Sequence, residues 1–261
     1  MRRLVILPAF LVAGTLWFSL LGQAQAVILI SAGGVYEQNF NSLAASGTSS
    51  DLPDGWSFVE SGDRADNTYT ADDGRSNTAD TYSYGSDGDT DRALGSLTSG
   101  SITEIKFGAV FENAGEVPIT SLRISYTGEQ WREGDKVKDY LYFEYSLNAS
   151  SLTDGTWTQV GSLTFESPQV GNIGKLDGNA AENQRDLVGV LTGFSLSKGD
   201  RIWIRWRDKN VSGCDAGMAV DDLRVEAAPE PAALGWVGIG MCGLLIFWRK
   251  RKKQKVEKKK E

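Results

Sequence analysis

The middle of this chain alternates between apolar and polar residues in short runs that turn residues separate. A repeat of two places successive side chains on opposite faces of a β-strand. The three clearest apolar rows are Leu122, Ile124 and Tyr126; Leu141, Phe143 and Tyr145; and Ile202, Ile204 and Trp206. Because no helical period competes with this pattern, it predicts an all-β domain in which these rows form the core.

Turn residues bound the predicted strands, which span residues 27–31, 36–40, 56–60, 103–112, 119–131, 139–147, 157–165, 187–194, 201–207 and 217–226. Three turns, at 113–115, 154–155 and 198–200, carry Asn, Asp and Gly residues typical of hairpins, which favours antiparallel order. Residues 51–91 carry eleven acidic and two basic residues. This composition predicts a long loop on both sides of the strand at 56–60. Three alternatives are open: the loop carries a function, a bound metal ion holds it in place, or it is partly disordered.

The N-terminus reads as an export signal. Residues 1–26 begin with two arginines, continue with an apolar stretch at 4–21 and end in Ala24-Gln25-Ala26. This order is typical of a secretory signal peptide cleaved after Ala26, and an uncleaved anchor is the alternative. Export through the Sec machinery would leave a mature chain that begins near Val27.

Near the C-terminus, residues 232–248 are apolar throughout and residues 249–261 are mostly basic. A helix of this length spans roughly 25 Å, most of the ~30 Å hydrocarbon core of a bilayer. The basic residues after it would hold the end of the chain in the cytoplasm. The segment therefore predicts a transmembrane helix, which is either retained as an ordinary anchor or removed after export.

The features at this end follow the order Pro229-Glu230-Pro231, an apolar helix, and a basic cluster led by Arg249. This order resembles the PEP-CTERM sorting signal of bacteria that make extracellular polysaccharide, which makes residues 229–261 a sorting region. The resemblance implies that a membrane-embedded exosortase recognises and removes the tail. The protein would be anchored in the membrane through its helix, and processing would release it to the cell surface or extracellular matrix.

Residues 27–228, between the two end segments, are expected to form one exported domain. Parts of it resemble the extracellular jelly-roll domains of PEP-CTERM proteins, and these parts are residues 36–40, 52–56, 91–95, 124–131 and 217–223. The resemblance implies an antiparallel jelly-roll β-sandwich. Its layout is similar to that of carbohydrate-binding and adhesion jelly rolls.

The composition of this domain limits the partners that it can bind and the catalytic and metal sites that it can contain. Of 27 basic residues, 2 lie in the signal peptide and 9 in the basic tail; of 34 acidic residues, 3 follow residue 228, so the domain has a net charge near −15. Such a charge repels nucleic acids and favours divalent cations as partners. The chain contains no histidine, which excludes Ser-His-Asp and Cys-His catalysis and His-ligated zinc. Of its two cysteines, only Cys214 lies in the domain, either as a small buried residue or as a free thiol that pairs between chains.

Carboxylates are the natural ligands of calcium, which binds about six to eight oxygen atoms. One candidate site is the alternating run at 87–91, although it lacks the glycine and the glutamate of an EF-hand loop. Another joins an early strand to the last strand, because the terminal strands of jelly rolls run side by side. The residues of the two candidate sites are Asp87, Asp89 and Asp91, and Glu37 with Asp221 or Asp222. Alternatively these carboxylates are turn formers and solvated charges, and Asp221 pairs with an arginine.

A polar and aromatic face is expected on the sheet surface opposite the core rows. Its residues are Arg123, Trp131, Tyr140, Tyr142, Glu144, Trp203, Arg205 and Arg207. If their strands are neighbours, the aromatic rings would stack on apolar sugar faces while guanidinium groups bond hydroxyls or uronate carboxylates. Alternatively, residues 51–91 cover this face, and its Arg and Glu side chains form cross-strand pairs.

Three hypotheses for the function follow. The first is a non-catalytic, exported surface or matrix protein that binds polysaccharide or another surface component. The second is a purely structural or adhesive matrix component that self-associates without affinity for glycans. The third is a glycoside hydrolase or lyase that uses paired carboxylates, because that chemistry needs no histidine.

Overall fold

The computed structural model describes residues 26–228, which form a sandwich of two β-sheets. The all-β domain predicted from the alternating pattern and the sandwich implied by the resemblance are therefore confirmed. The predicted features at the two ends lie outside the described residues: the signal peptide up to residue 25, the Pro229-Glu230-Pro231 motif, the apolar segment at 232–248, and Arg249 with the basic tail. Within residues 26–228, no helix has the length and apolar character needed to cross a membrane.

Sixteen strands are numbered along the described residues. They are β1 (Ile28–Ile30), β2 (Val35–Gln38), β3 (Thr48–Ser49), β4 (Trp56–Ser61), β5 (Tyr69–Asp72), β6 (Asp80–Tyr84), β7 (Ala93–Leu97), β8 (Glu104–Asn113), β9 (Ser121–Glu133), β10 (Tyr140–Ser146), β11 (Thr158–Gln159), β12 (Phe165–Glu166), β13 (Gly174–Lys175), β14 (Gln184–Leu191), β15 (Arg201–Lys209) and β16 (Gly217–Ala228). Two short 3₁₀ turns, Gly161–Leu163 and Ala181–Asn183, complete the secondary structure of this part of the chain.

The first sheet has the strand order β1-β8-β15-β10-β11, with β4 beside β8 and β12 beside β10. The second sheet has the order β13-β9-β16-β7-β6-β5-β3, with β14 beside β9 and β2 beside β16. Among the paired strands, β1 with β8 and β5 with β6 are parallel, and the other pairs are antiparallel.

Two of the three predicted hairpin turns connect strands of different sheets. The turn at 113–115 leads from β8 in the first sheet to β9 in the second, and the turn at 198–200 leads from β14 back to β15. Only the turn at 154–155 lies between strands that pair with each other, β10 and β11. A turn sequence specifies a local reversal of the chain, but it does not specify the strand with which the following strand pairs. At 113–115 and 198–200, the chain crosses to the other sheet, so the apolar faces of the strands before and after the turn pack against the same core.

The acidic region at 51–91 is not a loop. It contains β4, β5 and β6, and β7 follows directly. β4 corresponds to the predicted strand at 56–60, whereas polar residues hid β5 and β6 from the hydrophobic pattern; in β6, Thr81 and Ser83 are buried although they are polar. The predicted strand at 157–165 is also wrong in part, since a 3₁₀ turn at Gly161–Leu163 separates the two-residue strands β11 and β12.

The core between the sheets is centred on Trp206, which is fully buried. Its ring packs edge-on against the rings of Tyr126 and Phe143, each with a centroid distance of 5.2 Å. It stacks on Trp56 at 6.0 Å and on Phe107 at 5.9 Å. The three apolar rows predicted from the sequence all contribute to this cluster, so their role as the core is confirmed.

Cys214 lies in the segment between β15 and β16, and it is exposed. The alternative in which it is a small buried residue is therefore wrong. A polar turn that contains Ser212 and Gly213 places it at the surface, outside the apolar rows. Pairing of its thiol between chains stays a prediction.

Candidate functional site

Strands β10 and β15 are neighbours in the first sheet, with Tyr142 opposite Arg207 and Glu144 opposite Arg205. Their outward side chains alternate with the buried residues of the core rows. The structure thus brings together six of the eight residues predicted for the polar and aromatic face: Tyr140, Tyr142, Glu144, Trp203, Arg205 and Arg207. We refer to these six residues as the outer face of the first sheet.

The other two predicted residues lie elsewhere, because both belong to β9 in the second sheet. Arg123 is exposed there and forms an ion pair with Glu226 at 3.5 Å. Trp131 is 1% exposed and stacks on Tyr84 with a centroid distance of 6.0 Å. The alternation along β9 distinguishes its two faces, but nothing in the local sequence tells which sheet the strand joins, and this produced the error.

Glu144 organises the outer face of the first sheet by binding two arginines at once. Its Oε2 accepts a hydrogen bond from Nε of Arg205 at 2.8 Å and lies 2.7 Å from Nη2 of the same guanidinium group. Its Oε1 accepts hydrogen bonds from Nε and Nη2 of Arg207 at 3.0 and 2.6 Å. Burial alone would raise the pKa of Glu144, but the bonds from Arg207 and Arg205 outweigh it and lower this pKa. The carboxylate therefore stays ionised and fixes both guanidinium groups.

Part of this face is covered. The guanidinium of Arg205 lies 3.7 Å from the ring centroid of Trp157 and donates a hydrogen bond to the backbone oxygen of Leu152. Trp203 packs with Val110 and Leu152 in a small apolar cluster. The cover comes from the connection between β10 and β11 rather than from residues 51–91, which add only Val59 at its margin. The expected cross-strand pairs of Arg and Glu are present.

The remaining part of the face is open. Tyr140 and Tyr142 are half-buried and stack on each other with a centroid distance of 5.6 Å and an interplanar angle of 24°. The guanidinium carbon of Arg207 lies 5.3 Å from the centroid of the Tyr142 ring. Partial burial, followed by the effect of Tyr140, raises the pKa of Tyr142, so its phenol keeps its proton at neutral pH. Two aromatic rings and a fixed cation thus form a short row, which we call the tyrosine row.

The residues predicted for calcium lie in two separate regions, and calcium binding at either stays a prediction. Strands β2 and β16 do run side by side, as predicted, but Glu37 forms an ion pair with Arg224 on β16. Glu37 and Asp222 line the same cavity of about 490 Å³, which Arg224 also lines. Asp221 is buried and Asp222 is exposed, so these two carboxylates do not share one environment.

The predicted calcium run lies in the turn between β6 and β7. Asp87 and Asp89 are exposed, and Asp91 is half-buried. Oδ1 of Asp89 accepts a hydrogen bond from the backbone N–H of Asp91 at 3.2 Å, as in a common turn. Oδ2 of Asp91 accepts a hydrogen bond from Nδ2 of Asn179 at 3.2 Å. The geometry of Asp87 and Asp89 is that of turn formers, whereas Asp91 reaches a different part of the surface.

A carboxylate cluster that the sequence did not reveal is formed by Glu60, Asp66 and Asp80. One oxygen of each lies within 4.8 Å of the others, a spacing that could hold a metal ion. Oε1 of Glu60 also accepts hydrogen bonds from the backbone N–H and the hydroxyl of Thr81, at 2.8 and 2.7 Å. Burial, and then the charges of Glu60 and Asp66, raise the pKa of Asp80 to about 7. No spacing motif links these three positions, so no sequence signal was available to find them.

No family model matches the chain, and no curated protein matches it. Solved structures with a similar fold include the CBM22-1 xylan-binding domain of Paenibacillus barcinonensis Xyn10C, at 11% identity over 77% of this chain and 99% of that chain, with a TM-score of 0.39. The K3 cleaved adhesin domain of Lys-gingipain from Porphyromonas gingivalis shares 9% identity over 74% of this chain and 98% of that chain, with a TM-score of 0.39. TmCBM61, solved with β-1,4-galactotriose, shares 12% identity over 66% of this chain and 88% of that chain, with a TM-score of 0.32. At these values the likeness assigns neither a ligand nor an activity to this chain.

Proposed function

We propose that this protein is a non-catalytic polysaccharide-binding protein and that the tyrosine row is its binding surface. The observation that carries the proposal is the stacked pair Tyr140 and Tyr142 next to Arg207, which Glu144 and Tyr142 hold in place. The row lies on rigid, paired strands rather than on loops, so its geometry is set before a ligand arrives.

The chemistry of the tyrosine row suits a sugar chain. The faces of the tyrosine rings offer apolar surface to the C–H groups of a pyranose ring, and the phenol hydroxyls offer hydrogen bonds. Arg207 adds donors in a planar fork that matches a uronate carboxylate or a pair of hydroxyls. Glu104 and Lys106 form an ion pair beside it and supply further polar contacts. This favours hexose or uronic acid units over lipid or nucleic acid as the ligand.

The state of Glu144 supports a binding role over hydrolysis. A glycoside hydrolase needs a carboxylic acid whose pKa is raised so that it can protonate the leaving group. Glu144 is the central carboxylate of the face, and its two arginines lower its pKa. It therefore acts as a fixed anion that positions Arg205 and Arg207, and neither a glycoside hydrolase nor a lyase is needed to explain the arrangement.

The proposed location follows from the two ends of the sequence. A signal peptide at 1–26 would direct export, and the motif Pro229-Glu230-Pro231 with its apolar and basic continuation would make the protein a substrate of an exosortase. Residues 27–228 would then present the tyrosine row at the cell surface or in the extracellular matrix. Fractionation of cells with and without the exosortase checks this, and intact chains with both ends uncut in the cytosol would contradict it.

Replacing both Tyr140 and Tyr142 by alanine is expected to weaken polysaccharide binding at least roughly tenfold, because each lost ring removes about 1 kcal/mol of stacking and about 1.4 kcal/mol corresponds to a factor of ten. Affinity electrophoresis of the full chain in gels that contain neutral or uronic polysaccharides measures the change. The matched control is Arg123→Ala, which removes an exposed arginine from the second sheet. The proposed function would be contradicted if the double tyrosine variant were retarded as strongly as Arg123→Ala, or if no polysaccharide retarded the wild type.

A structural or adhesive role is the second candidate, and one observation favours it. Among the strands of residues 26–228, β14 pairs only with β9, and it exposes Val188 and Val190 to solvent at 47% and 55%. An open edge strand with apolar side chains can pair with another chain. Sedimentation velocity distinguishes the two roles, since the structural role predicts association that Val188→Lys abolishes and that polysaccharide leaves unchanged.

A further inference from the structure

Strand β16 ends at Ala228, at one end of the sandwich. Its last residues are bound to the connection between β1 and β2. The backbone oxygen of Ala227 accepts a hydrogen bond from the N–H of Gly33 at 2.7 Å, and the N–H of Ala227 donates one to the backbone oxygen of Gly34 at 3.0 Å. The sheet therefore fixes the position from which the chain continues beyond the sandwich.

Two further turns meet at the same end of the sandwich. The N–H of Ala114 donates a hydrogen bond to the backbone oxygen of Ile30 at 2.9 Å, which joins the turn after β8 to β1. The N–H of Gly199 donates one to the backbone oxygen of Asn113 at 2.8 Å, which joins the turn before β15 to the turn after β8. We call this end of the sandwich the exit end, and it is formed by residues 31–34, 113–118, 197–200 and 227–228.

The tyrosine row lies far from the exit end. Strand β15 begins at the exit end, where Arg201 is opposite Glu112, and Arg207 follows six residues later on the same strand. At about 3.3 Å per residue, Arg207 lies about 20 Å from the exit end. Tyr142 is opposite Arg207, and Tyr140 lies further along β10 in the direction away from the exit end.

Exposed apolar side chains are concentrated in the half of the sandwich that contains the exit end. Of the eight large apolar side chains that are exposed among residues 26–228, two lie near the opposite end, Val137 and Ile173, beside the last residues of β9. Val117 is 61% exposed and lies at the exit end itself, where its backbone oxygen accepts a hydrogen bond from Nδ2 of Asn113 at 3.0 Å. The six in the exit half are Leu29, Val35, Val117, Leu147, Val188 and Val190.

The acidic side chains of two turns at the exit end have basic partners. Glu116 forms an ion pair with Lys198, and Glu112 forms one with Arg201 at 2.8 Å. The domain as a whole has a net charge near −15, and such a charge is repelled by anionic lipid headgroups. Because these pairs neutralise much of the negative charge at the exit end, this end approaches a lipid surface at a lower electrostatic cost than the rest of the domain.

The chain between Ala228 and the predicted transmembrane segment is short. Residues 229–231 alone separate β16 from the apolar segment at 232–248. The backbone from Ala228 to residue 232 covers at most about 14 Å, at roughly 3.5 Å per residue. The headgroup layer on each side of the hydrocarbon core is about 5–8 Å thick. A segment that spans the membrane would therefore hold the exit end at or close to the headgroups.

We propose that, while the tail is retained, the sandwich stands end-on on the membrane, with the exit end against the lipid headgroups and the tyrosine row directed away from them. This orientation rests on the proposed location. Val117, in the turn that forms the tip of the exit end, is the apolar side chain that enters the headgroup layer first. The membrane would then leave the tyrosine row open to polysaccharide outside the cell.

Quenching by lipids that carry a nitroxide on the headgroup tests this orientation, because a nitroxide quenches a fluorophore only at short range. A dye is attached to one cysteine of the full chain in vesicles, in a Cys242→Ser background. The natural Cys214 is the matched control, since it is exposed in the turn between β15 and β16, at the end opposite to the exit end. With Val117→Cys and Cys214→Ser, we expect the dye to lose roughly half of its emission, because side chains at this depth lie within the headgroup layer. A dye on Cys214 should keep its emission.

Equal quenching at the two positions would overturn this orientation, since the sandwich would then lie on its side or rotate freely. Stronger quenching of a dye on Val188→Cys than on Val117→Cys would also overturn it, because the edge strand β14 would then lie on the lipid. If the chain does not float with the vesicles, the proposed location fails, and the orientation fails with it. Polysaccharide binding in vesicles should equal binding in detergent micelles. Loss of binding in vesicles alone would overturn the orientation, whereas loss in both would contradict only the proposed function.

Discussion

Replacing Glu144 by alanine is expected to lower the free energy of unfolding by about 3–5 kcal/mol, the usual loss when one partner of a buried ion pair is removed. The side chains of Arg205 and Arg207 are only 8% and 14% exposed, so the change leaves two guanidinium groups out of water without their shared counter-ion. Urea unfolding of the wild type and the variant, monitored by tryptophan fluorescence, measures the difference.

Glu104→Ala is the matched control for this prediction. Glu104 also contacts Arg207, at 3.6 Å, but its side chain is 24% exposed and water can replace it. We expect a loss of about 1 kcal/mol or less, as for other partly solvated ion pairs. Glu144→Gln tests the geometry separately, because it keeps acceptors for one arginine but loses the charge, and its loss should fall between the other two. A Glu144→Ala variant as stable as Glu104→Ala would show that the arginines find water or other partners.

The Glu144→Ala substitution should also weaken polysaccharide binding, because Glu144 fixes Arg207 beside Tyr142. Loss of the carboxylate frees the guanidinium to rotate, and a mobile donor must be ordered again when a ligand binds. Binding should therefore fall even under conditions in which the variant remains folded. This links the stability of the outer face of the first sheet to the proposed function through one residue.

The period-two pattern predicted the core rows and most strands of the second half, because apolar residues there alternate without interruption. It did not predict β5, β6 or β7. In β6, Thr81 and Ser83 occupy inward positions and are fully buried although they are polar. Burial of such residues depends on partners from distant parts of the chain, such as Glu60 for Thr81 and Ala44 for Ser83, which a local window does not contain.

The candidate site could be predicted in its composition but not in its assembly. Tyr140, Tyr142 and Arg207 were recognisable because they alternate with core residues on strands that the pattern identified. The pairing of Glu144 with two arginines depends on the register of β10 against β15, which no turn sequence specifies. Trp131 was assigned to the wrong sheet for the same reason, and the register shift of β16 between Asp221 and Arg224 leaves no trace in the local sequence.

Lowering the pH from 8 to 5 in the presence of a chelator is expected to stabilise the protein, which is opposite to ordinary acid denaturation. The cause is a set of buried carboxyl groups whose pKa values are raised: Asp80, Glu129 and Asp221, and a cluster between the sheets that contains Asp139, Asp208 and Asp215. Oδ2 of Asp208 accepts a hydrogen bond from Ser96 at 2.8 Å, and Oδ2 of Asp215 accepts one from Thr98 at 3.1 Å. None of the ion pairs among the described residues includes these three aspartates.

The direction follows from the protons that each state binds. Burial raises the pKa of Asp139 to about 7, and it raises the pKa values of Asp208 and Asp215 as well. In the unfolded chain these groups ionise near pH 3.8, so between that pH and about 7 the folded state binds more protons than the unfolded state. Their stabilising contribution is complete below the unfolded value and is lost as the pH rises through the folded value. At about 1.4 kcal/mol per pKa unit, the cluster as a whole should contribute on the order of a few kcal/mol between pH 5 and 8, and this contribution belongs to the coupled groups together.

Urea midpoints at half-unit steps from pH 5 to 8 measure this slope. Glu144 and Asp73 do not contribute in that window, because their lowered pKa values keep them ionised in both states. Asp208→Asn should flatten the slope and raise the stability at pH 8, since it removes the most deeply buried charge while its amide can still bond to Ser96. Asp186→Asn, an exposed substitution on β14, is the control and should leave the slope unchanged. A stability that rises with pH between 5 and 8, or a slope that Asp208→Asn does not reduce, would contradict this prediction.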